Sequence, residues 1–389
     1  MHVEPFTVQV PDTALADLRA RLQLTRFPDE VERAGWEQGT SLVYLRELVE
    51  YWRTRFDWRA RERCINQFHH FRAEVQGLCL HFLHERGNGP APMPLILLHG
   101  WPSTFWQMAP LVPLLADPEL HGGDARDAFD VIVPALPGCA FSDRPARPGM
   151  SRTRVATLFT SLMTDVLGYR MFAVHGGDIG ASVATMLGLE YAHHIIGLHL
   201  TDVYAPWLGE GSRPLTEGEA RFVEEERRWH EEEGAYDHVQ RTKPQTLAYA
   251  LNDSPAGLAA WIVEKFRAWS DCGGYIERRF SKDELLTHVT LYWVTETISS
   301  ANRLYFDRHR YPRYLGPGER VLPPAGFAIF PADIDHPPRE WAERSYDVVR
   351  WTEMPRGGHF ASAEEPELLA EEIRSFFRPL REPRGNRAQ

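Results

Sequence analysis

The chain contains 389 residues, of which 43% are hydrophobic, 12% aromatic and 25% charged, a composition typical of a globular protein. At roughly 150 residues per domain, this length allows two or three domains. The formal net charge of −11 at pH 7 disfavours nucleic acid as a partner, because a phosphate backbone binds to surfaces rich in lysine and arginine.

The first 75 residues predict mainly helical structure. Leucines at helical spacing follow Pro11-Asp12 and predict one helix, and a second apolar stripe runs from Leu42 to Trp52. An extended run follows at residues 75–83, where the helical spacing is lost.

Strands and helices alternate from residue 94 onward. The pattern predicts strands at 94–98, 129–133, 171–174 and 195–200, separated by helices at 105–115, 155–167 and 181–191. This alternation predicts parallel βαβ units, in which ligands bind beyond the carboxyl ends of the strands. The residues directly after each strand are therefore the first candidates for chemistry.

The alternation stops between residues 207 and 305. Segments rich in Glu and Trp, such as 224–233 and 247–269, predict an inserted helical lid. The run of Glu and Arg within it is typical of a solvated helix face. The pattern ends with strands at 327–330 and 348–352 and an amphipathic helix at 366–377.

The segment His175-Gly176-Gly177-Asp178-Ile179-Gly180 follows a predicted strand and precedes a predicted helix. Small residues on both sides of one reactive residue are what a sharp, strained strand-to-helix turn requires. A carboxylate held up by such a turn attacks a saturated carbon directly and forms an alkyl-enzyme ester. A glycine turn with a chance aspartate explains the same segment, so the interpretation of Asp178 depends on its partners.

Two later strand ends supply candidate partners for Asp178. Asp333 ends the segment Phe330-Pro331-Ala332-Asp333, and His359 lies on a glycine-flanked loop after the last predicted strand. The chain order of nucleophile, acid and histidine predicts that His359 acts as a base and that Asp333 orients it. Asp335 is the alternative acid.

An earlier strand end is expected to supply hydrogen-bond donors. His99-Gly100-Trp101-Pro102 closes the predicted strand at 94–98. The backbone N–H groups of Trp101 and Ile179 are expected to form an oxyanion hole, which stabilises the tetrahedral anion when the ester is hydrolysed.

Taken together, these motifs resemble those of the microsomal-type branch of the epoxide hydrolases. The resemblance extends from Pro5 to Phe377 and also includes Asn252-Asp253-Ser254-Pro255 and Gly357-Gly358-His359-Phe360. It implies an α/β-hydrolase fold with a mostly parallel sheet. We accordingly expect an N-terminal meander at 1–75, the first half of the core at 76–206, the helical lid at 207–305 and the second half of the core at 306–389.

The resemblance also implies a reaction, the conversion of a small-molecule epoxide to a vicinal diol through an ester at Asp178. In this family two lid tyrosines hydrogen-bond the epoxide oxygen, and the matching segments place these roles on Tyr236 and Tyr305. Phenols with a pKa near about 10 stay protonated at neutral pH and can donate to the charge that develops on this oxygen. Two of the 13 tyrosines packing inside a lid would give the same pattern.

One position departs from the family pattern. The residue after the nucleophile is often Trp in relatives, whereas here it is Ile179. Its backbone N–H is retained, so the change affects the shape of the pocket and the range of substrates. Trp101, Phe105 and Trp106 are expected to line this pocket, although each is equally suited to the core.

Two other functions remain open at this point. A haloalkane-type dehalogenase uses the same aspartyl ester, but it commonly binds halide with a Trp after the nucleophile, and Ile179 cannot serve in that role. A non-catalytic binding protein of the same fold is the other, since a fold alone does not imply activity. This chain, however, has a candidate residue for each catalytic role.

Location and partners are predicted from what the sequence lacks. The four cysteines form no C-x-x-C pair, and neither a signal-peptide pattern nor a run of about 18 apolar residues is present. We expect a cytoplasmic enzyme with no metal, no organic cofactor and no membrane or nucleic-acid partner. Detoxification, carbon catabolism and secondary metabolism all stay open, as does a homodimer.

Overall fold

The computed structural model describes residues 2–381, and these form one nine-stranded sheet with helices on both faces. The strands are β1 (Val3–Phe6), β2 (His70–Val75), β3 (Leu78–Glu85), β4 (Met93–Leu98), β5 (Phe129–Pro134), β6 (Phe172–Gly176), β7 (Ile195–Leu200), β8 (Val321–Ile329) and β9 (Tyr346–Glu353). Their order across the sheet is β1-β2-β3-β5-β4-β6-β7-β8-β9.

Fifteen α-helices connect or follow these strands in the described residues. They are α1 (Asp12–Gln23), α2 (Leu42–Thr54), α3 (Trp58–Ile65), α4 (Leu111–Ala116), α5 (Arg152–Ser161), α6 (Ile179–Glu190), α7 (Glu217–Glu232), α8 (Ala235–Thr242), α9 (Pro244–Asp253), α10 (Pro255–Ala268), α11 (Lys282–Thr295), α12 (Ile298–Arg310), α13 (Arg339–Glu343), α14 (Ala361–Glu364) and α15 (Pro366–Phe377). Within residues 2–381, no helix combines the length and the apolar character needed to cross a membrane.

The sheet is parallel from β5 to β9 and antiparallel at the edge formed by β1, β2 and β3. The predicted parallel βαβ units are therefore confirmed. The predicted helices α1 and α2 are confirmed as well, but β1 and α3 were not predicted. The extended run at 75–83 includes the turn of the hairpin formed by β2 and β3. The turn residues Gln76 and Gly77 have φ of 49° and 83°, and two successive positive φ values are typical of a tight hairpin turn.

Both faces of the sheet are buried, as the alternation of side chains along β4 illustrates. Ile96 and Leu98 pack into one apolar cluster with α5 and α6, whereas Leu95 and Leu97 pack into a second cluster with α4 and α15. Successive side chains of a strand point to opposite faces, so a strand covered on both sides reads as a continuous apolar run. This is why β4 has the sequence Met-Pro-Leu-Ile-Leu-Leu.

Two predicted helices differ from the observed elements. The helical segment predicted at 247–269 contains two helices, α9 and α10, which are separated at Ser254 because a proline at 255 disfavours a helical conformation of the preceding residue. Ser254 is extended and its side chain accepts a hydrogen bond from Gly257 N, so it starts α10. The helix predicted at 105–115 is a 3-10 turn at Phe105–Met108 followed by α4.

The four-segment division of the chain stays a prediction, with one boundary corrected. The boundary at 305 and 306 falls inside α12, which continues to Arg310. We therefore call the run of helices from α7 to α12, at residues 217–310, the helical segment. The predicted last segment, 306–389, includes residues 382–389, which lie outside the described part of the chain.

A buried ion pair joins the first helix of the helical segment to the core. Glu219 of α7 has no exposed side-chain surface and accepts hydrogen bonds from Arg344 Nε at 2.6 Å and from Arg213 Nη2 at 2.8 Å. Removing one member of a buried pair leaves uncompensated charge in a region that water does not reach. The position of α7 should therefore depend on Glu219.

Substitution Glu219→Gln should lower the free energy of unfolding by about 3–5 kcal/mol, because it leaves Arg344 without its carboxylate. Denaturant unfolding followed by circular dichroism measures the change. The matched control is Glu217→Gln on the same helix, where the side chain is exposed, and it should change stability by less than about 0.5 kcal/mol. Equal effects of the two substitutions would contradict the role of the pair.

Candidate active site

The register of the central strands brings three strand ends together. Leu98 of β4 lies beside Gly176 of β6, and Gly176 lies beside Leu200 of β7. Parallel strands end at the same edge of a sheet, so the residues that follow these three strands are neighbours. The polar groups of the site come from these loops and from the loops after β8 and β9.

Asp178 sits at the sharp turn that the sequence predicts between β6 and α6. Its φ of 53° and ψ of −125° are rarely adopted by a residue with a side chain. Two glycines allow the Asp178 turn to lie close to the end of β4 and the loop that follows it. A Cβ on Gly180 would lie 2.1 Å from Leu98 O, and one on Gly100 would lie 2.3 Å from Asp178 Oδ1. The turn and the loop after β4 therefore fit together only because these positions lack side chains.

The Asp178 carboxylate is held from two sides. Trp101 N donates to Oδ1 at 2.9 Å, and the nearby Ile179 N–H also favours the charged form of the carboxylate. Oδ2 lies 3.6 Å from His359 Nε2. Burial alone would raise the pKa of Asp178, but His359 and the two N–H groups together hold this pKa below its ordinary value. The carboxylate is thus an anion at neutral pH.

His359 is oriented by Asp333. Its Nδ1 lies 2.7 Å from Asp333 Oδ1, and both side chains are almost fully buried. A parallel bridge between Ala332 and Gly358 holds the two loops side by side. The acid in contact with His359 is therefore Asp333 and not the alternative, Asp335.

The charge of His359 is set by its two carboxylate neighbours. Burial lowers the pKa of His359, but the negative charges of Asp333 and Asp178 and their hydrogen bonds raise it well above its ordinary value. An imidazolium between two carboxylates is the expected state of the free site.

Asp202, which was not among the predicted site residues, holds the backbone of Asp178. Its Oδ2 accepts from Asp178 N at 2.6 Å and from Thr201 Oγ1 at 2.9 Å. Burial and the charge of Asp333 raise the pKa of Asp202 to about 6. A signal for Asp202 was present, because it lies two residues beyond the predicted strand at 195–200.

Asp202, Asp333 and His359 also offer one possible metal-ligand atom each, all within 4.8 Å of one another. Carboxylates and imidazoles are common ligands of metal ions. Here His359 Nδ1 already contacts Asp333, and Asp202 Oδ2 already accepts two hydrogen bonds. These contacts account for the close spacing, so we assign no metal-binding role to the three residues.

The run 224–233 was predicted to be a solvated helix face, but only some of its side chains are exposed to solvent. Glu224 is 45% exposed and pairs with arginines of its own helix. The Glu226 side chain is 30% exposed, and burial together with the charge of Asp202 raises its pKa to about 7. Glu226 therefore belongs to the acidic surroundings of the site.

Tyr236 of α8 and Tyr305 of α12 lie over the Asp178 turn. Their ring centroids are 6.0 Å apart, and the Tyr236 ring stacks on Trp101 at 5.3 Å. Burial raises the pKa of both phenols, and the negative charge of Asp178 raises them further. The two tyrosines are thus close to the carboxylate and protonated, although they are 69 residues apart in sequence.

The predicted pocket lining is wrong for two of its three aromatic residues. Phe105 packs in the core against His81 at 4.8 Å, and Trp106 packs against Phe68 at 5.9 Å. Only Trp101 faces the site. Trp269, which was not selected, forms another wall, with its ring 5.2 Å from His359 and 5.1 Å from Tyr236.

Comparison with protein families gives two matches along the chain. Residues 3–108 match the model described as the epoxide hydrolase N terminus, and residues 93–246 match the model described as the alpha/beta hydrolase fold. The second match confirms the predicted fold class.

Individual relatives extend these matches over nearly the whole chain. Epoxide hydrolase 1 of Sus scrofa is 36% identical over 408 residues, which cover 96% of this chain and 88% of that protein. The structure of Aspergillus niger epoxide hydrolase matches with a TM-score of 0.85 and 29% identity, covering 98% of this chain and 97% of that one. The crystal structure of juvenile hormone epoxide hydrolase from Bombyx mori matches with a TM-score of 0.83 and 29% identity, over 98% of this chain and 94% of that one.

Substitution Asp178→Asn should lower the pKa of His359, because it removes one of the two negative charges that favour the imidazolium. Titration of the imidazole resonances by NMR measures this pKa. Asp165→Asn, an exposed change in the π-helical turn before β6, is the matched control and should leave the pKa unchanged. An unaltered His359 pKa in Asp178→Asn would show that the two groups are not coupled.

Proposed function

This chain belongs to the epoxide hydrolase family, and we propose that Asp178, His359 and Asp333 carry out its reaction, the conversion of an epoxide to a vicinal diol. One observation carries the assignment. Asp178 Oδ1 accepts from Trp101 N, which leaves Oδ2 facing His359 at 3.6 Å. The two carboxylate oxygens are thus prepared for different roles, one as the nucleophile and one as the future ester carbonyl.

In the first step Asp178 Oδ2 attacks an epoxide carbon and the C–O bond of the ring breaks. Tyr236 and Tyr305 donate hydrogen bonds to the departing oxygen, and one of them transfers its proton. The high pKa of both phenols keeps them protonated until the oxygen becomes an alkoxide, which is a stronger base. The product is a hydroxyalkyl ester of Asp178.

Ester formation changes the state of His359. The Asp178 charge that raises the His359 pKa in the free site is lost when the carboxylate becomes an ester. The pKa of His359 then falls, because only Asp333 still stabilises the imidazolium. The imidazolium can then pass its proton to the tyrosinate left by ring opening, and the neutral imidazole acts as a base at the stage where a base is required.

In the second step His359 removes a proton from water, and the hydroxide attacks the ester carbonyl. A cavity of about 20 Å³, whose walls include Asp178, Thr201 and His359, lies beside the carboxylate, and this volume is enough for one water molecule. The carbonyl oxygen, held by the N–H groups of Trp101 and Ile179, takes up the negative charge of the tetrahedral intermediate. Collapse releases the diol, which receives the proton from His359, and the acid proton of Asp178 then passes to His359, which restores the carboxylate and the imidazolium of the free site.

Asp202 acts on this reaction through the backbone. Its hydrogen bond to Asp178 N holds the left-handed turn and thereby the direction of the nucleophile. Asp202 is a positioning residue in this proposal, since its carboxylate does not contact the reacting atoms.

The alternatives from the sequence are not favoured. The named relatives are epoxide hydrolases, and none of the family matches points to a dehalogenase or a binding protein. Each step has a candidate group in this chain, so the proposal includes no metal and no organic cofactor. A cytoplasmic location, a homodimer and a role in detoxification or secondary metabolism stay predictions from the sequence.

The covalent intermediate can be trapped. His359→Gln should accumulate a hydroxyalkyl ester on Asp178 after mixing with styrene oxide, because ring opening proceeds while ester hydrolysis is slowed by about 10⁴-fold or more. Mass spectrometry of the peptide that contains Asp178 detects the adduct. Asp178→Ala should give neither adduct nor diol, whereas the exposed change His121→Gln should behave as wild type. Full diol formation by Asp178→Ala would overturn the proposal.

The tyrosines should act on the first step only. Replacing either Tyr236 or Tyr305 by Phe should slow alkylation of Asp178 by about 10²-fold or more, since one donor to the developing alkoxide is lost. Stopped-flow fluorescence under single-turnover conditions separates alkylation from ester hydrolysis. Tyr249→Phe is the control, because that side chain is 73% exposed. Unchanged alkylation rates in both site variants would reject the assigned role.

A further inference from the structure

A cavity rich in arginine lies beside the active site and has no part in the proposed reaction steps. It has a volume of about 180 Å³ and lies among Arg152 of α5, Arg241 of α8, Arg308 of α12 and Arg313. The remaining walls are tyrosine, histidine and proline, with no acidic side chain among them. We call this space the arginine cavity.

Carboxylates behind the walls do not balance these cations. Arg241 and Arg308 share one carboxylate, Asp237. Arg313 pairs with Glu190 and Glu319. For Arg152, the part of the chain that the structure describes offers no carboxylate partner. The arginine cavity therefore keeps an excess of positive charge, although the whole chain has a net charge of −11.

Arg152 is the least compensated of the four. Its Nε is buried without a hydrogen-bond partner, and its guanidinium lies 5.3 Å from the centre of the Tyr204 ring. Burial and the nearby charge of Arg308 lower the pKa of Arg152 to about 10, so it is still a cation at neutral pH. Arg152 is half-buried, and withdrawing a charge from water without a counterion costs free energy.

The fold itself gives Arg152 no compensation. Arg152 is the first residue of α5, and the positive end of a helix dipole disfavours a cation there. Neither an ion pair nor the helix accounts for this residue, whereas an anion in the arginine cavity would supply the missing partner.

The arginine cavity is next to the reacting groups. Arg152 and Arg308 also border a second, smaller cavity whose other walls include Ile179 and Tyr305. The Arg308 guanidinium lies 4.9 Å from the centre of the Tyr305 ring, and Asp178 contributes to the electrostatic field at Arg152. A carboxylate held at Arg152 would therefore lie close to the residues around the nucleophile.

We propose that the arginine cavity binds a carboxylate of the substrate, so that this enzyme prefers epoxides that carry a carboxylate group. The inference rests on the proposed function, whose substrate class it specifies. A guanidinium has a planar pair of donors that matches the two oxygens of a carboxylate. A neutral substrate would leave Arg152 without a counterion, so the site should bind it less tightly than a carboxylate.

The test compares ω-epoxyalkanoates of increasing chain length with their primary amides, which have the same shape and no charge. For at least one chain length, kcat/KM of wild type should be about tenfold or more higher for the carboxylate than for the amide. Arg152→Gln should bring this ratio close to one, and Arg152→Lys should retain part of it. The matched control is Arg154→Gln. Arg154 lies on the same helix but donates a hydrogen bond to Gln76, so its loss should leave the ratio unchanged.

Failure of this inference is distinct from failure of the proposed function. Equal kcat/KM for carboxylates and amides at every chain length would overturn the carboxylate preference and leave epoxide hydrolysis intact. Absence of diol from all substrates would overturn the proposed function instead. The arginine cavity is then tested by binding alone. Octanoate should raise the melting temperature of wild type more than octanamide does, and this difference should be smaller in Arg152→Gln. Equal shifts with octanoate and octanamide would contradict a carboxylate site.

Discussion

The left-handed backbone of Asp178 is the constraint on which the rest of the site depends. A φ of 53° turns the side chain away from β6 and over the loop that follows β4. The turn fits because Gly180 passes against Leu98 O and Gly100 passes against the Asp178 carboxylate, at distances that a Cβ would not permit. Asp202, from the loop after β7, then accepts the hydrogen bond of Asp178 N and keeps the strained conformation in place.

Once the turn is formed, the charges of Asp178, Asp333 and His359 determine which group can react in each of the two steps. Asp178 is kept anionic by His359 and by backbone N–H groups, which suits a nucleophile. His359 is kept protonated by Asp178 and Asp333, which does not suit a base. Formation of the ester removes one charge and thereby changes the second residue from an acid to a base. Burial raises the pKa of the acidic groups further out, Asp202 and Glu226, to about 6 and about 7, so both are close to titrating at neutral pH.

Strand ends were predictable from the sequence, and side-chain directions were not. Parallel strands bring the residues that follow them to one edge, so Asp178, His359 and Asp333 were found by position, and the same argument would have found Asp202. Phe105 was misplaced because it lies in a 3-10 turn, where the direction of a side chain depends on packing after the turn has formed. The edge strand β1 was missed because four residues carry too weak a pattern. The arginine cavity combines α5, α8 and α12, which are brought together only by the tertiary fold.

The origin of the oxygen atoms in the diol tests the role of Asp178 as nucleophile most directly. If Asp178 attacks the epoxide, one diol oxygen comes from the epoxide and the other from Asp178, while the oxygen of water enters the Asp178 carboxylate. A single turnover with excess enzyme in ¹⁸O-labelled water should therefore give unlabelled diol and one ¹⁸O in the peptide that contains Asp178. Labelled diol and an unlabelled peptide would mean that water attacks the epoxide directly, and Asp178 would then not be the nucleophile.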